Sequence, residues 1–152
     1  MLIGVISDTH GLLRPEALTA LAGVEHILHA GDVGDPGILD TLEKIAPVTA
    51  IRGNVDSWGD CADLPATDAV ELGGRLFYLV HSVTDLDINP VVAEVAAVVS
   101  GHSHKPSVHS RDGVMFLNPG SAGPRRFNLP VTVALVTLSE EKLEARIVDL
   151  LP

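Results

Sequence analysis

The chain has 152 residues, 46% of them hydrophobic and 20% charged, enough apolar material for one core and too little charge density for a disordered composition. Its formal net charge of −10 argues against broad nucleic-acid binding and against an anionic membrane surface, both of which want a basic face. One cysteine, Cys61, excludes an intrachain disulfide framework and a zinc–thiolate site.

The N-terminal run LIGVIS (2–7) is short and apolar, as expected of a buried strand. It reaches a charged residue too soon for a signal-peptide core or a membrane span, so a cytoplasmic protein is expected. Pro15 opens a helix with Leu18, Leu21 and Ala22 on its inner stripe. EHILHA (25–30) reads as a second strand, and Asp35-Pro36 as the cap and first position of a second helix. VTAIR (48–52) is a third strand. Gly73-Gly74 joins two further strands as a hairpin, Pro90 to Ala97 is expected as a short helix, and AVVS (97–100) as a strand. Two more hairpins follow, one over Asp112-Gly113 and one over SEEK (139–142). The expected fold is α/β: one domain over 1–152, parallel early and antiparallel late, with two sheets packed face to face and helices outside.

Nearly every strand of the first two thirds runs into a metal-binding residue type. Asp8 and His10 follow the first, Asp32 the second, Asn54 the third; His81 ends the fifth, and His102 and His104 follow the strand at 97–100. In open α/β sheets, ligands sit beyond the carboxyl ends of strands, so residues distant in sequence meet at one edge. Two carboxylates, one amide oxygen and four imidazoles suit two divalent ions of hard or borderline type, Mn, Fe, Zn, Co or Ni. Asp32 is the candidate bridge. Asp8-x-His10 and His102-x-His104 are expected to put both members of each pair on one side of an extended segment. A pair of ions about 3.5–4 Å apart acidifies a shared water and neutralises charge on a reacting phosphate ester.

These residues resemble the calcineurin-like metallophosphoesterase superfamily in the order D-x-H (Asp8, His10), G-D (Gly31, Asp32), G-N (Gly53, Asn54), H (His81) and G-H-x-H (Gly101, His102, His104). ISDTHG (6–11), HAGDV (29–33), RGNVD (52–56), GHSHKP (101–106) and NPGS (118–121) bring the likeness closest to the small prokaryotic phosphodiesterase branch, the YfcE-like proteins. The resemblance implies a four-layer α/β/β/α sandwich with two mixed sheets, and phosphodiester hydrolysis with two metal ions, foremost Mn²⁺ or Ni²⁺. It implies one ion on Asp8, His10 and His104 and the other on Asn54, His81 and His102, with Asp32 shared. Asn54 would also touch the substrate phosphate, which makes Asp32, Asn54 and His81 the expected catalytic centre. The superfamily commonly carries a His directly after the G-N pair to protonate the leaving group. Here Val55 stands there, and Asp56 either orients a ligand or substitutes in part. Ser82 replaces a common Gly, and the segment from His81 to Gly101 is shorter than usual.

Ser121, in the NPGS turn, is expected near the pocket and assigned to the substrate. Arg125 and Arg126 are either a clamp for a second phosphate or substituent or solvated loop charge. His29 either supports the site from behind or only packs. Trp58 stacks on a nucleobase or packs; His26 and His109 match no motif. The expected partner is a small, nucleotide-like phosphoester, with no membrane and a homo-oligomer left open. The competing readings are a phosphomonoesterase on the same site and a partner-binding scaffold of the same fold. The retromer subunit resembling these enzymes is such a scaffold, with a degraded metal site, whereas here all seven positions are filled.

Overall fold

The computed structural model describes residues 1–57 and 59–152, so the expectation for Trp58 lies outside the described residues. The first sheet contains β1 (Leu2–Ile6), β2 (His26–His29), β3 (Val48–Ala50), β9 (Thr132–Leu138) and β10 (Leu143–Asp149), in the order β10-β9-β1-β2-β3. β1, β2 and β3 run parallel, while β9 lies antiparallel to β1 and to β10. The second sheet, in the order β4-β5-β6-β8-β7, contains β4 (Thr67–Leu72), β5 (Arg75–Val80), β6 (Val95–Val99), β7 (Ser107–Arg111) and β8 (Val114–Asn118). β5, β6 and β8 are parallel, and the two outer strands are antiparallel hairpin partners. Both sheets are mixed, as expected.

The sheets pack on each other through Ile3, Val5, Leu28, Ala134 and Val136 on one side and Phe77, Leu79, Ala97, Val99 and Leu117 on the other. Phe77 is fully buried, and truncation to Ala would cost about 3–5 kcal/mol. The next residues along the same strands, Ile6, Ile27, Val133 and Leu135, face the helices α1 (Pro15–Ala20) and α2 (Pro36–Glu43), against Ala17, Leu21, Ile38 and Leu42. Burial on both faces explains why β1 and β9 read as continuous apolar runs rather than alternating ones. α2 starts as its sequence dictates. Asp35 accepts the Gly37 amide at 2.9 Å, and Pro36 fills a position whose N–H has no helical partner.

The outer layer over the second sheet is reduced. Its apolar face (Val80, Val95, Val98, Val114, Phe116) is covered by Leu86 and Ile88 from a 3₁₀ turn at Val83–Asp85 and the loop after it. The helix expected from Pro90 to Ala97 is a single turn. Asn89 caps it, its side-chain oxygen accepting the amides of Val91 and Val92 at 3.1 and 3.2 Å, and it ends where Glu94 turns left-handed at φ 58°. Three valines in five residues disfavour continuing the helix, and β6 begins at Val95 instead.

Candidate metal centre

The six parallel strands, β1, β2 and β3 in one sheet and β5, β6 and β8 in the other, end at one edge, and the chain turns there on left-handed residues. Asp8, His10, Asp32, His102 and His104 have φ between 47° and 70°. The expected alternation of an extended Asp-x-His segment is therefore incorrect. The pairs converge because each member sits on its own tight turn, a conformation costing about 1–2 kcal/mol per non-glycine residue. The turns are stitched together by backbone bonds: Asp8 N–H to Gly31 O at 3.0 Å, His10 N–H to Asp32 O at 2.9 Å, and Gly101 N–H to His81 O at 2.9 Å. Gly31, at φ 102°, presses its α-carbon side against the His81 ring, where a Cβ would lie 2.7 Å from Nδ1. Gly53 and Gly101 are not left-handed. They are glycines because a Cβ would overlap Asp32 at the first and Ser7 at the second.

Two groups of donor atoms result, Asp8–His10–His104 and Asp8–Asp32–His81. Asp8 Oδ1 lies 3.5 Å from His104 Nε2 and 3.8 Å from the Nε2 atoms of His10 and His81. Asp32 Oδ2 lies 3.2 Å from His81 Nε2 and 3.6 Å from His10 Nε2. Both carboxylates thus stand between the groups, whereas the sequence pointed to Asp32 alone. His10 and His104 face each other, Nε2 to Nε2, at 3.2 Å. The Asn54 amide end is 3.1 Å from His81 Nε2 and 3.2–3.3 Å from both Asp32 oxygens. It can donate its NH₂ to them or turn its oxygen in as a further lone pair. His102 is exposed, and its ring stands edge-on to His81 at 5.2 Å between centroids. It belongs to neither close group, but its backbone N–H donates to Asp8 Oδ2 at 3.0 Å.

The donors are held from behind. His81 Nδ1 donates to the Ala30 carbonyl at 2.7 Å, which leaves Nε2 to face the carboxylates with its lone pair. Ser7 donates to Asp8 Oδ2 at 2.8 Å, and Val55 N–H to Asp32 Oδ1 at 2.9 Å. Ser7 carries no motif signal beyond its place before Asp8, and the sequence reading missed it. His29 is fully buried, with Nε2 3.1 Å from the Thr9 hydroxyl while Nδ1 accepts the Gly31 amide at 3.1 Å. Of its two readings, support behind the site is the one observed.

Electrostatics follow from this packing. Burial raises Asp8 above the usual carboxylate range, against the Ser7 hydrogen bond. Burial also acts to raise Asp32, but His81 and the Val55 amide outweigh it and bring Asp32 down to about 2. Burial disfavours charge on His81, yet Asp32, the Ala30 carbonyl and Asp8 raise its pKa overall. Burial, then Arg126 and His10, push His104 down to about 4. A proton on His81 thus competes for the same negative field that a cation would occupy.

Two sequence assignments need correction. Asp56 is not turned toward a leaving group: it is 2% exposed, and its carboxylate accepts the amides of Val33, Gly34 and Gly53 at 2.9–3.0 Å. Ser121 is buried and donates to the Asp8 carbonyl at 2.9 Å, so it positions Asp8 instead of facing substrate. Arg125 and Arg126, read either as a clamp or as solvated loop charge, are exposed and line neither of the two clefts beside His102, while the charge of Arg126 is felt by His104.

Whether these residues suit a cation is decided by an orphan. Asp8 Oδ1, buried, has no hydrogen-bond partner among the described residues, and neither has His104 Nδ1. An unpaired buried carboxylate oxygen facing three imidazole nitrogens is costly unless a positive ion sits among them. The donor set fits.

A family model described as the calcineurin-like phosphoesterase superfamily domain matches residues 1–141. The chain belongs to this superfamily. A probable metallophosphoesterase of Methanothermobacter thermautotrophicus is 37% identical over 97% of this chain and 92% of its own length. The solved structure of an archaeal phosphodiesterase is 25% identical, with a TM-score of 0.81 over 98% of this chain and 99% of that one. Vps29 of Entamoeba histolytica, solved with zinc, shares the fold at a TM-score of 0.72 and 24% identity, covering 99% of both chains. The chain is therefore a phosphoesterase-family hydrolase with grouped candidate metal ligands. No helix among the described residues is long and apolar enough to cross a membrane.

Proposed function

We propose that this protein is a dinuclear-metal phosphodiesterase. One ion would be held by Asp8, His10 and His104, the other by Asn54, His81 and His102, with Asp32 shared and Asp8 Oδ1 beside both. The observation that carries the reading is that orphaned oxygen, with three imidazole Nε2 atoms within 3.8 Å of it. Nitrogen and oxygen donors without thiolate favour Mn²⁺ first, with Ni²⁺, Fe, Co²⁺ and Zn²⁺ as alternatives. When bound, two such ions supply an acidified water and offset the negative charge gathering on the phosphoryl oxygens.

The chain's own residues do the rest. Ala30 fixes the His81 tautomer so that its Nε2 lone pair points inward. Ser7, Ser121 and the His102 amide hold Asp8 in register. The Asn54 side chain, beside Asp32 and at the edge of an open cleft of about 590 Å³, would contact the phosphoryl group. Hydrolysis forms an oxygen–phosphorus bond from water and breaks one phosphorus–oxygen ester bond. The alcohol departs with one proton of that water, and a phosphomonoester remains. A cytoplasmic setting belongs to the same reading, supported by the single buried free thiol of Cys61.

A second reading, a partner-binding module, is favoured by the fold likeness to Vps29. Metal analysis and turnover separate the two. The enzyme should hold two Mn²⁺ per chain and cleave bis(p-nitrophenyl) phosphate faster than p-nitrophenyl phosphate. His104→Ala should lose one ion and at least about tenfold in turnover. Wild-type protein that keeps less than one ion per chain, or cleaves neither ester, sinks the enzyme reading. Preference for the monoester would leave a phosphomonoesterase.

A further inference from the structure

Two clefts adjoin across Ser82, Thr84 and His102. The first, about 590 Å³, opens on Asn54 and His81 and is walled by Arg52, Asp85 and Asp87. The second, about 380 Å³, lies along Ser103, Ser107, His109, Phe116 and Leu117. A phosphomonoester has one organic arm and needs one cleft beside the metal centre. A diester has two, and here two spaces flank the residue that stands 5.2 Å from the His81 ring.

Their chemistry differs. In the first, the Arg52 guanidinium already donates to the Leu64 carbonyl at 2.7 Å, while Asp85 and Asp87 are exposed and bring two carboxylates. Asp87 holds the Tyr78 hydroxyl at 3.3 Å. With two carboxylates against one guanidinium, such a wall accepts hydrogen bonds from hydroxyls or an ammonium group. In the second, the exposed His109 imidazole lies parallel to the Phe116 ring, 5.3 Å between centroids and 8° between planes. The Arg111 guanidinium sits 4.9 Å from the Phe116 centroid. With Val83 and Leu117 beside it, this is a flat, mostly apolar wall suited to a planar ring.

We propose that the substrate is an asymmetric phosphodiester, with a planar aromatic arm, as in a nucleoside, against His109 and a hydroxylated or cationic alcohol in the Asp85–Asp87 cleft. The phosphoryl group lies between them at His81 and His102. This assignment rests on the phosphodiesterase reading above.

The test compares two diesters with the same leaving group, bis(p-nitrophenyl) phosphate and p-nitrophenyl phosphorylcholine, on Mn²⁺-loaded protein. His109→Ala, an exposed edge-strand change, should raise KM for both by roughly five- to tenfold, with kcat within about twofold. Asp85→Asn should raise the KM of the choline diester relative to that of the bis-aryl diester by about threefold. If wild-type protein cleaves these diesters and His109→Ala leaves KM alone, or Asp85→Asn leaves the KM ratio alone, the assignment of arms to clefts is overturned while the phosphodiesterase stands. If wild-type protein cleaves neither, both fall together.

Discussion

A single oxygen of Asp56 joins two of the turns that carry the metal centre: Oδ2 accepts the Val33 amide at 3.0 Å and the Gly53 amide at 2.9 Å. These amides follow β2 and β3, directly after Asp32 and directly before Asn54. Asp56→Ala leaves three amides without their acceptor, of which only that of Val33 is buried, and should destabilise the fold by about 2 kcal/mol, read from urea unfolding. Asp56→Asn keeps one accepting oxygen and should recover part of the loss. Equal unfolding midpoints for wild type and Asp56→Ala would refute this clamp.

Gly53→Ala should strike the centre itself. Its Cβ would meet Asp32 Oδ1 and the Asp32 backbone nitrogen, so the Asp32 carboxylate must move. Mn²⁺ affinity should drop by about 10–100-fold in calorimetric titration. Gly113→Ala is the contrast. At φ 79° it meets nothing within 4 Å, so it should lose about 1 kcal/mol of stability and leave Mn²⁺ affinity unaltered. Equal affinity in Gly53→Ala would mean that Asp32 is not a ligand.

His29 gives the metal-free protein a pH dependence. Burial, partly offset by Asp56, lowers its folded-state pKa from 6.5 to about 4. Between those values the unfolded chain binds the proton and the folded chain does not, so stability rises with pH across that window. In EDTA, up to about 3 kcal/mol present above pH 6.5 should be lost as pH falls toward 4. Asp32, depressed to about 2, contributes above the ordinary carboxylate value of 3.8 and loses that contribution only at lower pH. Denaturant titrations at several pH values check the slope between pH 6.5 and 4, which His104, also held near 4, shares, so His29→Gln should reduce it in part. An unchanged slope in that variant would assign the loss elsewhere.

Metal should also stabilise the fold. Mn²⁺ at 100 times its dissociation constant should add about 2.7 kcal/mol per independent site, raising Tm in calorimetry, and EDTA should reverse it. A Tm independent of Mn²⁺ concentration would speak against folded-state binding.

The strand endings were legible because parallel strands deliver their next residues to a common edge, and Asp8, Asp32, Asn54, His81 and His102 each follow such a strand. Both tight hairpin signals at Gly73-Gly74 and Asp112-Gly113 lie in the expected turns. What sequence spacing could not show was backbone handedness. Asp8 and His10 look like alternating residues of an extended segment, but their φ angles of 54° and 47° come from bonds to the turn after β2. The leaving-group reading of Asp56 and the substrate reading of Ser121 fail for a related reason. Next to a motif, a polar side chain looks available for chemistry, and only the folded chain reveals the amides and carbonyl that occupy it. The helix at 90–94 stops after one turn despite the Asn89 cap and the Pro90 start, because Glu94 turns left-handed and three nearby valines favour the strand that begins at Val95.

Five non-glycine donor-bearing residues in left-handed turns also bear on protein engineering. Transplanting the seven side chains onto another fold would not reproduce this centre, because ordinary strands or helices point the same Cβ atoms elsewhere. A faithful copy has to carry the crossed turns, the glycines beneath them and the Asp56 tie. The smallest transferable unit is therefore a set of loop backbones, with the imidazoles and carboxylates following from it.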